Sequence, residues 1–239
     1  VSSTEGIFYN DELLEKVNAN NYFKYFNNNC DYYLTEATSK MLDSNYYESR
    51  LVDVGIYTGI ENNEHIDIHN GFDGYLTAKK KLFNLIKEDG FVVVNGDDKY
   101  IYEVMDNYSG KVIYVHYSND IPLESDVFNF TDISISKDIM LFNINTKDFS
   151  ITIKTKLLGK YNALNLTMAF ATLHKLGFNK ILLAMCIQEF SGIKGRFERI
   201  KLIDERIVII DYAHTENSLK FVLENIRNIY GDNKLTRCI

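Results

Sequence analysis

The sequence predicts an α/β fold: a mostly parallel sheet flanked by helices, plus a small antiparallel ribbon. Three observations carry that prediction. Short β-branched runs alternate with helical patterns up to about residue 118, the rhythm of βαβ units. From about 123 to 158 apolar and polar residues alternate, as in strands with one buried and one wet face. After about 207 a strand-to-helix rhythm restarts.

In chain order, "DYYLTEA" (31–37) and "LVDVGIYTGI" (51–60) read as buried strands. "GYLTAKKKLFNLI" (74–86) has apolar residues at helical spacing, and "FVVVNGDD" (91–98) is a strand ending in a turn. "KVIYVHYS" (111–118) continues the alternation, and the ribbon follows with turn-like "NTKD" in its middle. "YNALNLTMAFATLHKLG" (161–177) is an apolar helix stopped by Gly177, with a second helix in "NKILLAMCIQEF" (179–190). "SGIKGRFERI" (191–200), with two glycines, reads as a linker before "IVIIDYAHTENSLKFVLENI" (207–226). The expected domain boundary therefore lies near Gly195. Residues 1–194 form one domain, and 195–239 are the opening of a second that is too short to be complete.

Composition narrows the function classes. Hydrophobic content of 46% and charged content of 25% are those of an ordinary globular protein. A net charge of -7 argues against a general nucleic-acid surface, although a local anion site is compatible with it. No run of about 18 apolar residues is present, so no membrane span is expected. "VSSTEGIFYN" lacks the basic and apolar regions of a signal peptide. Cys30, Cys186 and Cys238 are scattered and odd in number, which suggests reduced thiols in the cytoplasm.

The polar cluster in "NNEHIDIHNG" follows directly on a predicted strand, where open α/β sheets bind ligands. His65, beside Glu64, is either a hydrogen-bonded loop residue or a metal or phosphate contact. Glu36 ends another predicted strand; it is either solvated or one of the hard oxygen ligands that magnesium takes, with His65 completing a nearby corner. Of Lys79, Lys80 and Lys81, a helix lets only about one in three point into a site, and Lys79 shares a face with Tyr75.

These pieces occur in a recognisable order. "EATSKML", "EHIDIHNGFDGYLTAKKKLF", "VVVNGDD", "GKYNALNLTMAFATLHKLG", "GRFERI" and "DYAHTENSL" resemble the Mur ligase family, over nearly all of the chain. Within it the resemblance is to the ligases that add the third residue to the peptidoglycan peptide, while "STEGIFYNDELLE" is similar to cyanophycin synthetase. The resemblance implies an ATP-dependent ligase that joins an amine to a carboxylate through an acyl phosphate. The γ-phosphate and the carboxylate are both anionic, so cations must offset their charge. It further implies Glu36, His65 and Lys79 as Mg2+ ligands, Lys79 as a carbamate whose oxygen replaces the ammonium. Asn162 and Asn165 would read adenine, three apart on one helix face; unaided, they are polar helix-start residues. Arg196 would reach the phosphates and Asp211 the ribose, with His214 beside it. Thr38 and Ser39, in "EATSKML", would meet the substrate. The implied partners are ATP, a UDP-sugar peptide and an amino acid, handled by a cytoplasmic monomer.

The sequence also departs from the family pattern. The phosphate loop GxxGK[ST] is absent from these residues, and with it the backbone N–H groups and lysine that hold a triphosphate. The chain alone is therefore expected to be an inactive fragment, a central ATP-binding domain plus the start of the next. "TGIENNEH" is one residue longer than the family's TNxxxDH, Glu64 replaces its aspartate, and Arg50 stands four residues late. The alternatives are a ligase for another substrate, such as a poly-amino acid or a folate polyglutamate, and a non-catalytic relative.

Overall fold

Val92, Val93 and Val94 have no exposed surface, the pattern of a central parallel strand covered on both faces. The computed structural model describes residues 1–231 apart from 4–5, 11, 19–20, 26–29, 48–49, 61–67, 137, 204–205 and 215. The chain opens with a small antiparallel sheet of β1 (Ser2–Ser3), β2 (Gly6–Tyr9) and β3 (Glu12–Glu15). The main body then runs α1 (Ser39–Asp43), β4 (Val52–Tyr57), α2 (Phe72–Lys80), β5 (Ile86–Asn95), α3 (Ile101–Val104) and β6 (Lys111–His116). It continues with β7 (Val127–Ile135), β8 (Met140–Asn145), β9 (Ser150–Thr155), α4 (Lys160–Lys175) and α5 (Lys180–Glu189). Last come β10 (Glu198–Lys201), β11 (Ile207–Ile210) and α6 (Glu216–Tyr230).

Strands β4 to β9 form one six-stranded sheet in sequence order. The pairs β4–β5, β5–β6 and β6–β7 are parallel; β7–β8 and β8–β9 are antiparallel. The expected ribbon is thus the continuation of the parallel sheet, attached through β7. Period-two alternation divides the interior between the two faces. Val92 and Val94 enter a cluster with Tyr57, Leu76, Phe83 and Ile101. Val93 enters the other, with Ile113, Phe128, Phe142, Phe170 and Leu183, beneath α4 and α5.

The helix ends follow local chemistry. Gly177 (φ 96°) takes the left-handed position after α4; its N–H donates to the His174 carbonyl and that of Phe178 to the Leu173 carbonyl, closing the helix. Asn179 caps α5, its side-chain oxygen accepting from Ile181 N at 2.8 Å.

Three expectations need correction. Residues 31–37 are not a strand: only Thr35 makes a bridge, and Tyr32 and Leu34 are exposed. The helix expected over 74–86 occupies Phe72–Lys80, a 3-10 turn follows at Phe83–Leu85, and Ile86 already belongs to β5. The stretch 191–200 is not all linker, since β10 begins at Glu198 and pairs antiparallel with β11. Among the described residues no helix is long and apolar enough to cross a membrane.

The two faces of β8 give a direct test. Phe142 is 1% exposed and Leu141 is 40% exposed. In urea unfolding, Phe142→Ala is expected to lose about 3–5 kcal/mol and Leu141→Ala less than about 1 kcal/mol.

Candidate functional site

Parallel strands that stop together leave a crevice at their carboxyl ends. Here a cleft of about 2180 Å³ opens beside β4 and the ends of β4 and β5. Glu36, Thr38, Ser39, Lys79, Asn165, Arg196 and His214 all line it. Residues far apart in sequence thus meet in one space.

Glu36 is exposed, and its position is set through the main chain. The Tyr22 hydroxyl donates to the Glu36 carbonyl at 2.6 Å, and the Tyr47 hydroxyl donates to the same oxygen. Both tyrosines are buried, and burial pushes both hydroxyls up, so they remain donors. Phe23 and Tyr46 complete this aromatic cluster, and the Arg50 guanidinium lies 4.5 Å from the Phe23 ring centre. Thr38 caps α1, its Oγ1 accepting from Met41 N at 3.3 Å. Ser39 is 5% exposed.

Only Lys79 of the lysine triplet lines the cleft, its Nζ 5.8 Å from the Tyr75 ring centre. Lys81 turns the other way, donating to the Asp43 carbonyl at 2.8 Å and to Asp43 Oδ1 at 3.1 Å. His65 lies outside the described residues. The residues flanking that stretch, Ile60 and Ile68, both line the cleft.

The floor of the cleft holds two acids, Asp97 and Asp98, in the turn that ends "FVVVNGDD". Asp98 Oδ2 accepts from the Tyr57 hydroxyl and from Ile60 N, each at 2.8 Å; Oδ1 accepts from Tyr100 N at 2.9 Å. Asp98 therefore ties the end of β4 to the end of β5, and burial and the neighbouring Asp98 push the Tyr57 hydroxyl up. Gly59 (φ 133°) lies against this carboxylate; a Cβ there would come within 3.2 Å of Asp98 Oδ2. Asp97 bridges β5 and β6, with Oδ1 3.0 Å from His116 Nδ1 and Oδ2 accepting from Tyr117 N at 2.8 Å. Burial raises the Asp97 carboxyl, but the bonds from His116 and the Tyr117 amide outweigh it and leave it below its ordinary value. Two acids directly after a buried valine run were the available signal.

On α4 the two asparagines part company. Asn162 is buried and its Nδ2 donates to the Leu158 carbonyl at 2.8 Å, whereas Asn165 is exposed on the cleft. They do not present a joint polar edge, and Asn162 does not line the cleft.

The turn at Arg196 is fastened by hydrogen bonds to Asp211. Asp211 Oδ2 accepts from Phe197 N at 2.7 Å and Oδ1 from Ala213 N at 2.8 Å. Phe197 holds φ 49°, a conformation unusual for a bulky residue that costs about 1–3 kcal/mol. Gly195 packs on Tyr212, where a Cβ would come within 2.8 Å of the ring, and the Arg196 guanidinium lies 5.2 Å from the same ring centre. Asp211 thus acts here on the backbone, although a carboxylate has lone pairs left for a ligand. His214 is exposed, its Nδ1 2.8 Å from the Tyr212 carbonyl oxygen.

A cleft at the carboxyl edge of the parallel strands, bordered by an acid, a lysine and an arginine, lies where open α/β sheets place their ligands. The profile of the Mur ligase middle domain matches residues 4–173. The chain belongs to the Mur ligase family. It is 29% identical over 203 residues to a UDP-N-acetylmuramoyl-L-alanyl-D-glutamate–2,6-diaminopimelate ligase of Nostoc sp., covering 84% of this chain and 40% of that protein. It is 32% identical over 181 residues to the protein of the same name in Cytophaga hutchinsonii, covering 76% and 35%. A solved structure of a ligase of that name superposes with a TM-score of 0.74 at 22% identity, over 95% of this chain and 47% of that one, a likeness of fold. The chain spans about two-fifths of the length of the curated relatives it matches.

Two outcomes follow from the acids. Asp98→Ala strips the partner from two buried donors, Tyr57 Oη and Ile60 N, and is expected to destabilise the fold by about 1–3 kcal/mol for each in urea unfolding. Because the Asp97 carboxyl is depressed, its stabilisation is full above its ordinary value of 3.8 and is lost as pH falls through the lower folded value. His116→Ala removes the largest lowering bond, so thermal midpoints measured below about pH 4 should fall less steeply than in the wild type.

Proposed function

We propose that this chain supplies the nucleotide and metal platform of an ATP-dependent ligase that extends a UDP-sugar peptide in peptidoglycan precursor synthesis. The observation that carries the reading is the meeting of Glu36, Lys79, Asn165 and Arg196 in one cleft at the sheet's carboxyl edge. The names of the relatives favour UDP-N-acetylmuramoyl-L-alanyl-D-glutamate as the acceptor and 2,6-diaminopimelate as the incoming amine. Residues 1–194 form the central unit in this reading, and residues from 195 on begin the next. The protein acts as a cytoplasmic monomer.

Glu36 suits Mg2+, which takes hard oxygen ligands. An ammonium at Lys79 would repel the ion; a carbamate on Nζ supplies an anionic oxygen instead. Among the described residues no cluster of three His, Cys, Asp or Glu could hold a metal. The set that the family resemblance implies is Glu36, carbamylated Lys79 and His65, the last from outside those residues. Bound there, Mg2+ would supply positive charge against the triphosphate. Arg196 adds a fixed cation on the cleft wall for the phosphates, and Asn165 a polar edge for adenine. Asn162 supports that helix start from behind, Asp211 and His214 border the ribose, and Thr38 and Ser39 meet the sugar peptide. By holding carboxylate and phosphate together these groups offset the repulsion of two anions and fix their approach.

Intact mass of the chain kept in bicarbonate and MgCl2 tests the platform. The expected result is an added CO2, lost in Lys79→Ala while circular dichroism stays unchanged. An unmodified Lys79 under those conditions overturns the metal platform. Titration with Mg-ATP is expected to show binding weakened about tenfold or more in Glu36→Ala.

A further inference from the structure

Ser39 lines the cleft but is held from behind by a residue that does not. His69 Nε2 lies 3.0 Å from Ser39 Oγ, and its Nδ1 lies 3.4 Å from Asp43 Oδ2. The ring stacks on Tyr75 at 5.6 Å and 20°, and the side chain is 1% exposed. Among the described residues, the Ser39 hydroxyl is the polar link between His69 and the cleft.

Donor directions follow from the inventory of groups. Asp43 also takes the Lys81 ammonium at 3.1 Å, which holds its carboxyl below the ordinary value and its oxygens as acceptors only. Nδ1 must then carry the ring proton. In a neutral imidazole the other nitrogen is a bare acceptor, and the Ser39 hydroxyl is the donor that faces it. With its proton turned inward, Ser39 offers the cleft only lone pairs.

We propose that His69 is a positioning residue that fixes Ser39 as an obligate acceptor. The group recognised at Ser39 is then a hydrogen-bond donor of the substrate, a peptide N–H or a sugar hydroxyl, and not a phosphate or carboxylate oxygen. The choice of a UDP-sugar peptide as that substrate rests on the ligase reading; the tautomer of His69 does not.

Long-range 1H–15N NMR of the 15N-histidine-labelled chain at about pH 8, where an ordinary imidazole is neutral, reads the tautomer without ligand. The expected signature is a protonated Nδ1 and a bare Nε2, assigned by its loss in His69→Phe. A protonated Nε2 overturns the positioning role. Calorimetry with UDP-N-acetylmuramoyl-L-alanyl-D-glutamate supplies the second readout. Ser39→Ala and His69→Phe, which keeps a ring against Tyr75, are each expected to weaken binding about tenfold, and the double variant no further. His69→Gln, which returns an acceptor opposite Ser39, should recover most of the affinity. Additive losses, or no recovery by the glutamine, overturn the proposal and mark His69 as packing only. A wild-type chain that does not bind this nucleotide sinks the ligase reading and the donor contact together. The wrong tautomer with intact binding sinks the role of His69 alone.

Discussion

The arrangement of the site depends on the two-sided burial of β5. Val92, Val93 and Val94 are fully enclosed, and consecutive residues enter opposite cores. A slip of one residue would exchange the two sets, so the register against β4 and β6 is held by packing on both faces at once. Each buried valine contributes about 1.5–3 kcal/mol, so the three together outweigh any single polar contact at the strand ends. Where β4 and β5 stop, at Tyr57 and Asn95, is therefore a consequence of the core, and those stops are the floor of the cleft.

Packing alone cannot shape the loops beyond those stops, and carboxylates do that instead. Asp98 joins the ends of β4 and β5, Asp97 joins β5 to β6, and Asp211 fastens the turn that carries Arg196. Each accepts from donors that would be costly to leave bare in a partly buried site. The result is a rigid rim, to which the cleft-lining side chains are attached by their backbones. Glu36 is placed through its own carbonyl by two tyrosines, and Lys79 by the helix that packs on α1. A reaction that must crowd anions together gains from such a frame, because groups fixed in advance need no reorganisation when charge shifts.

How much of this was legible depended on whether the signal was local. β5, β6, α4 and α5 are strong periodic segments, and Gly177 closes α4 as its position suggested. The alternation of 123–158 revealed the antiparallel strands, but not that β7 pairs with β6, since periodicity carries no information about partners. The run "DYYLTEA" has strand composition, yet Tyr32 and Leu34 are exposed and the Glu36 carbonyl bonds to tyrosine hydroxyls, not to a ladder. The glycines of 191–200 suggested slack. Gly195 instead allows a φ of 72° and close contact with Tyr212, in a turn that Asp211 tightens.

The lysines and the asparagines show where helix arithmetic suffices and where it does not. Lys79 and Lys81 stand two residues apart, about 200° around α2, so one lines the cleft and the other reaches Asp43. Asn162 and Asn165 share a face by the same arithmetic, but Asn162 sits in the first turn of α4, one turn beyond the Leu158 carbonyl. A short amide side chain there finds a backbone partner before it can reach the cleft. Asn165, a turn further on, lies where the backbone carbonyls are already held within the helix, and its amide lines the cleft. The pair looks equivalent in sequence because the spacing is equivalent; what separates them is one local hydrogen bond.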